Sequence, residues 1–260
     1  MFDPPDDLSH ARILITNDDG IRSPGLAELY EVAKSLSDDV WVCAPEVEQS
    51  ATSHSLTISR PLRIRHIDAR RFAVDGTPTD CVLLAINNIL GDRRPDLVLS
   101  GINLGSNIGD DVTYSGTIAA AMEATLLGVP SIALSQHIGT WENIDWGTAR
   151  HYAGEVIQRI VKVPWEEDVL INVNFPAVTP NEVSGIEVVR HGKRKIGDNL
   201  VERIDPRGKT YFWIGVARGK EGVPEDTDIA VIDRSGITVT PLSMDLNHPP
   251  TLARMEKAFS

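Results

Sequence analysis

The stretch Arg12-Ile13-Leu14-Ile15-Thr16-Asn17-Asp18-Asp19-Gly20 runs from an apolar strand straight into a turn, and Ser23-Pro24 then opens a helix, Ser as N-cap and Pro in the first turn. Strand, turn and helix in that order make the first unit of a parallel α/β sheet. The turn carries chemistry as well. Asp18 and Asp19 are adjacent carboxylates that repel each other unless a cation sits between them, so the pair reads as the first half of a hard-metal site.

The alternation continues outward from this unit. The apolar side of the first helix runs through Leu26, Leu29, Tyr30 and Ala33, and Val40 to Ala44 and Arg71 to Val74 read as strands. Thr77-Pro78 repeats the helix-opening chemistry ahead of Val82, Leu83, Ala85, Ile86 and Ile89. A buried strand over Leu97 to Ser100 leads through a Gly- and Asn-rich loop to a helix from about Ser115 to Leu127, followed by a strand at Ser131 to Leu134 and a helix between Trp146 and Val161. Beyond that the pattern changes. Val169 to Phe175, Ile186 to Arg190, Tyr211 to Val216 and Ile229 to Ile232 read as strands, with Asp205-Pro206-Arg207-Gly208 as a hairpin turn. The expected organisation is one α/β domain over residues 1–260, with 1–10 a flexible N-terminal extension and about 197–260 forming a hairpin and C-terminal arms.

A formal net charge of −12 over 260 residues is a poor match for duplex nucleic acid, whose phosphates call for a basic surface. Any phosphate handled here must meet local positive charge. No basic leader followed by an apolar stretch opens the chain, and no run of about 18 apolar residues occurs, so neither a signal peptide nor a membrane span is expected. The two cysteines, Cys43 and Cys81, read as buried small hydrophobes of a reduced cytoplasmic protein.

In an open parallel sheet, ligands bind outside the carboxyl ends of the strands. Three loops there deliver Asp18 and Asp19, the hydroxyl of Ser50 and the amide of Asn103, all oxygen donors that suit Mg²⁺, Mn²⁺ or Ca²⁺ better than zinc. Ser50 and Asn103 also have plain uses, as turn hydroxyl and loop-capping amide, and only their topological positions favour ligation. Ser115-Gly116-Thr117 opens a strongly helical segment, where free N–H groups, two hydroxyls and the helix dipole can cradle a phosphate. His54, four residues past Ser50, could act in acid-base steps, but little supports that and a solvated loop histidine is expected.

Gly-x-Ser-x-Gly, the Walker phosphate loop and Gly-x-Gly-x-x-Gly are absent, and Asp18-Asp19 lacks the intervening residue of an Asp-x-Asp phosphatase nucleophile. The ordered series Ile15-Thr16-Asn17-Asp18-Asp19-Gly20, Ala44-Pro45 with Gln49-Ser50, Gly76-Thr77-Pro78 with Asp80-Cys81, Ser100-Gly101-Ile102-Asn103, and Asp111-Val112 with Tyr114-Ser115-Gly116-Thr117 resembles the SurE family of survival-protein nucleotidases. Leu170 to Pro176 resembles the family too. Two places depart from its pattern: Ala51, where Gly is usual, and Glu46-Val47-Glu48, where basic or amide residues are common.

The resemblance implies a Rossmann-like three-layer α/β sandwich with a mostly parallel sheet and C-terminal β-hairpin arms. It implies a cytoplasmic phosphomonoesterase that hydrolyses nucleoside 5′-monophosphates, and often 3′-monophosphates, by metal-activated water. One divalent ion per subunit, Mg²⁺ or Mn²⁺, is expected on Asp18, Asp19, Ser50 and Asn103, with Asn107, Ser115, Gly116 and Thr117 on the phosphoryl oxygens and Asn107 also a catalytic candidate. No aromatic pair stands out in the motif loops, so loose contacts to the base are expected. The alternative is a nucleotide- or phosphate-binding sensor without turnover. Tyr211-Phe212-Trp213-Ile214 is too apolar for a free β-arm, and with the run from Leu252 to Phe259 it predicts a homodimer or homotetramer.

Overall fold

The computed structural model describes residues 1–139, 144–193, 199–215 and 223–260. In chain order these form β1 (Arg12–Thr16), α1 (Pro24–Leu36), β2 (Asp39–Pro45), β3 (Ile64–His66), β4 (Arg71–Val74), α2 (Pro78–Leu84), β5 (Leu97–Leu104), α3 (Gly116–Leu126) and β6 (Ser131–Gln136). The series continues with α4 (Gly147–Ile160), β7 (Val169–Phe175), β8 (Ile186–Val188), β9 (Asn199–Ile204), β10 (Thr210–Gly215), α5 (Asp228–Asp233), β11 (Ile237–Ser243) and α6 (Pro249–Phe259).

Nine strands pair in the order β3-β4-β2-β1-β5-β6-β7-β11-β8. From β4 to β7 every neighbour is parallel; β3 and β11 join antiparallel, on β4 and β7. The chain winds outward from β1 to β2 and β4, then returns across β1 to add β5, β6 and β7. The winding therefore reverses between β1 and β5, and an open sheet of this kind leaves a crevice at that point. Alternation along β1 sets the layers. Ile13 and Ile15 pack with Leu26, Leu29 and Ala33 of α1 and with α4, whereas Leu14 faces Val82 of α2 and Ala120 and Ala124 of α3.

Local chemistry starts the helices where the sequence predicts. Ser23 Oγ accepts from Leu26 N, and Thr77 and Asp80 form a reciprocal capping box at α2. Cys43 and Cys81 are buried free thiols. Among the described residues no helix is long and apolar enough to cross a membrane.

Three expectations need correction. Ile229 to Ile232 is helical, within α5, because Asp228 is buried at its start and accepts from Gly109 N, Gly192 N and Ile229 N, while Ile229 and Ile232 pack on Ile108. A four-residue apolar run carries no periodicity to separate the two states. Residues 1–10 are docked: Phe2 is buried, exchanges two backbone hydrogen bonds with Trp165 and meets its ring edge-on, and Leu8 is buried as well. The arm region is also smaller than expected, since α5 and β11 belong to the main body. Tyr211 to Gly215 forms β10 as expected, and Val216 lies outside the described residues.

Candidate functional site

The turn after β1 is held by Asn17, whose Nδ2 donates to Gly20 O at 3.1 Å and to Ser23 Oγ at 2.6 Å. Gly20 has φ +96°, and a Cβ there would lie 3.2 Å from the Val47 carbonyl carbon. Only glycine fits both the backbone conformation and the close approach. Ile21 N to Pro45 O and Gln49 N to Asp18 O, each 2.8 Å, tie this turn to the loop after β2 that carries Ser50.

Across the switch point, β5 slips register against β6 between Ser100 and Asn103, and this bulge redirects the strand end. Gly101 sits at φ +140°, so close to Leu134 O that a side chain could not fit. Asn103 Nδ2 donates to Gly105 O at 2.7 Å, which leaves its Oδ1 to offer. Leu104 N donates to Asp19 Oδ2 at 3.1 Å. Ser50 Oγ donates to Glu48 Oε1 at 2.7 Å, and its lone pairs remain available.

Asp18, Asp19, Ser50 and Asn103 line one cavity of about 620 Å³, together with Asn107 and Ser115. Gly116 and Thr117, at the start of α3, sit directly against Asp18. Thr117 is fully buried behind Asp18, and its hydroxyl donates to Asp18 Oδ1. The N–H groups of Gly116 and Thr117 also favour the charged form of that carboxylate, and a Cβ at Gly116 would lie 2.7 Å from Asp18 Cβ. The positive end of α3 is therefore directed at Asp18, an anion belonging to the protein itself. Ser115 caps α3 by accepting from Ile118 N and still faces the cavity. Asn107 Nδ2 donates to Ser135 Oγ at 2.8 Å, which leaves its second amide hydrogen and Oδ1 to offer.

Burial is the largest cause lifting the Asp18 carboxyl above the usual range, against the opposing hydrogen bonds from Thr117 and Gly116. Asp19 is pushed up to about 6, by burial first and then by the neighbouring charges of Asp18 and Glu48, while the Leu104 N–H opposes the shift. Neither carboxylate has an ion-pair partner among the described residues. No group of three or more His, Cys, Asp or Glu gathers among them as a metal site either. A cation here would therefore rest on two carboxylates completed by the neutral oxygens of Ser50 and Asn103. Crowded buried carboxylates with hydroxyl and amide oxygens beside them fit a hard divalent ion.

Sequence reasoning missed three lining residues. Arg22 is the basic side chain on this otherwise acidic wall, which also includes Glu46, Glu48 and Asp111. Tyr114 and Trp146 are the aromatic ones. Tyr114 lay within a quoted motif without a role; Trp146 arrives from the start of α4 and is distant in sequence. His54 needs correction too: it is half-buried and bonds Glu123 Oε2 of α3 at 2.9 Å, so it is not a solvated loop residue.

An open doubly wound sheet with an acidic, oxygen-donor cavity at its switch point defines the class: an α/β protein with a site suited to a hard cation and a polar ligand. The sequence profile described as Survival protein SurE matches residues 13–198. The chain belongs to the SurE family. It is 56% identical over 258 residues to a 5′-nucleotidase SurE of Paramagnetospirillum magneticum, covering 99% of each chain, and 53% identical over 262 residues to that of Rhodospirillum rubrum, covering 100% of each. The crystal structure of the SurE protein from Aquifex aeolicus superposes with a TM-score of 0.85 at 40% identity, covering 96% of this chain and 100% of that one.

Proposed function

We propose that this chain is a divalent-metal-dependent phosphomonoesterase acting on nucleoside 5′-monophosphates, and on 3′-monophosphates at the same centre. One observation carries the reading: Asp18, buried, and Asp19, partly buried, stand adjacent in a switch-point cavity, with no ion-pair partner among the described residues. The names of the relatives, 5′-nucleotidases, supply the substrate class. Two buried free thiols are in keeping with a cytoplasmic location.

One Mg²⁺ or Mn²⁺ ion per subunit would be held by Asp18, Asp19, Ser50 and Asn103. Such an ion supplies neutralisation of phosphoryl charge and a water acidic enough to attack at neutral pH. Thr117 and the N-terminus of α3 orient Asp18 and favour its charged form against the burial that opposes it, and Leu104 N does the same for Asp19. Ser115 accepts from Ile118 N and keeps its own hydroxyl hydrogen for a phosphoryl oxygen. Asn107 keeps one amide hydrogen for a phosphoryl oxygen and its Oδ1 to orient a water, and Arg22 draws the anionic substrate to an acidic wall.

The test is phosphate release from a panel of nucleoside 5′- and 3′-monophosphates by chelator-treated protein, before and after Mn²⁺ or Mg²⁺ is restored. Metal-restored release from the 5′ esters supports the proposal. Nucleotide binding without release under every metal tried favours the sensor alternative.

A further inference from the structure

Trp146 occupies the N-cap position of α4, where Ser, Thr, Asp and Asn are favoured, and its side chain makes no capping bond. Asp145 does that work, its Oδ1 accepting from Gly147 N at 2.8 Å. The indole is placed by packing. It lies against the first turn of α1, where a Cβ on Gly25 would come within 2.8 Å of Trp146 Cη2, and it abuts the large core on that side of the sheet. Its remaining surface lines the same cavity as Asp18 and Asp19. Among the described residues nothing accepts from its ring N–H. Pro24, Leu104 and Tyr114 add apolar surface to that cavity, and Tyr114 is 46% exposed.

A phosphate group held beside Asp18 and Asp19 would fill only one end of a cavity of about 620 Å³. The rest is a partly apolar space with a half-buried aromatic ring that packs against α1 and whose N–H has no acceptor among the described residues. Such a surface suits a planar heteroaromatic group, by stacking and one hydrogen bond. Resting on the phosphomonoesterase reading above, we propose that Trp146 is the base-binding residue of this cavity, and that it sets the preference for nucleoside monophosphates over phosphomonoesters that lack a base.

AMP and ribose 5-phosphate share the phosphoester and sugar and differ in the base. The expected result is that Trp146→Ala lowers the ratio of kcat/KM for AMP to that for ribose 5-phosphate by about tenfold, the scale of one stacked base, mainly through KM for AMP. Trp146→Phe recovers most of the ratio. Trp146→Leu keeps apolar bulk against Gly25 and guards against simple misfolding; it behaves like the alanine variant. A ratio that stays within twofold of wild type in both Trp146→Ala and Trp146→Leu overturns the proposal, because a ring that only packs would affect the two esters alike. Calorimetric titration with adenosine needs neither metal nor turnover. Binding weakened by Trp146→Leu supports the base site even if wild type releases no phosphate from either ester, a result that would count against the phosphomonoesterase reading alone. Adenosine affinity unchanged by that substitution overturns the base site.

Discussion

Ala51, directly after the Ser50 of the cavity wall, holds φ at +59°. A left-handed backbone costs an L-residue about 1–2 kcal/mol, and glycine escapes that cost while losing roughly 0.5–1 kcal/mol of chain entropy on folding. Ala51→Gly is therefore expected to raise stability by up to about 1 kcal/mol, read as a higher urea midpoint at unchanged slope. Asp19→Asn is expected to abolish metal-dependent phosphate release and the thermal shift caused by Mn²⁺ while leaving the fold intact; wild-type turnover in that variant would sink the ligand assignment. The same substitution has a pH signature. Because the folded Asp19 carboxyl titrates near 6, above its unfolded value, the metal-free folded state binds its proton more tightly, and this group's contribution to stability falls as pH rises from about 4 to 6. Asp19→Asn removes that penalty, so chelator-treated variant and wild type should differ more in urea midpoint at pH 7 than at pH 4.5. Thr117 and Ser115 are expected to part company. Thr117→Ala strips a hydrogen bond from Asp18 and should weaken Mn²⁺ binding by calorimetry, whereas Ser115→Ala should mainly weaken inhibition by inorganic phosphate.

At the scale of elements, the loop after β2 is clamped to the segment entering α3. Ser53 N donates to Tyr114 O, Ser53 Oγ donates to Thr113 O, and His54 bonds Glu123 on α3 itself. The clamp fixes Ser50 relative to the helix that supports Asp18. His54→Ala leaves the 7%-exposed Glu123 without this partner, for a loss of about 1–3 kcal/mol, measurable by urea unfolding, and Mn²⁺ affinity should fall with it. Helix starts such as Ser23-Pro24 and Thr77-Pro78 were legible because capping is local chemistry written within four residues. Ile229 to Ile232 was not, because its helical state follows from Asp228 accepting N–H groups of Gly109 and Gly192, far away in sequence. Tertiary contacts of that kind override a short apolar run.

On the scale of the whole molecule, β9 and β10 form a two-stranded sheet apart from the main one, with Tyr211, Phe212, Trp213 and Ile214 all exposed and Trp213 at 65%. The hairpin does not fold back over its own sheet. Helix α6 likewise leaves Leu252, Met255 and Phe259 exposed. Apolar surface of this kind marks an interface, and a two-stranded hairpin alone is marginal in water. We propose a homodimer or homotetramer built on these arms. Light scattering at micromolar concentration should give at least twice the chain mass, and Trp213→Ser combined with Ile214→Ser should lower the assembly state. A monomeric intact chain ends the proposal.

The parallel α/β class, the helix starts and the convergence of Asp18, Asp19, Ser50 and Asn103 on one edge follow from the sequence by itself. Each depends on a short-range pattern or on the rule that loops after parallel strands share one side of a sheet. Three things were decided only by the tertiary structure. Asp18 sits against the N-terminus of α3, Trp146 enters the cavity past Gly25, and Phe2 docks on Trp165. In all three, the partner lies more than 90 residues away, and which groups meet across such a distance is set by how the layers pack, a property of the assembled core that no local window of sequence contains.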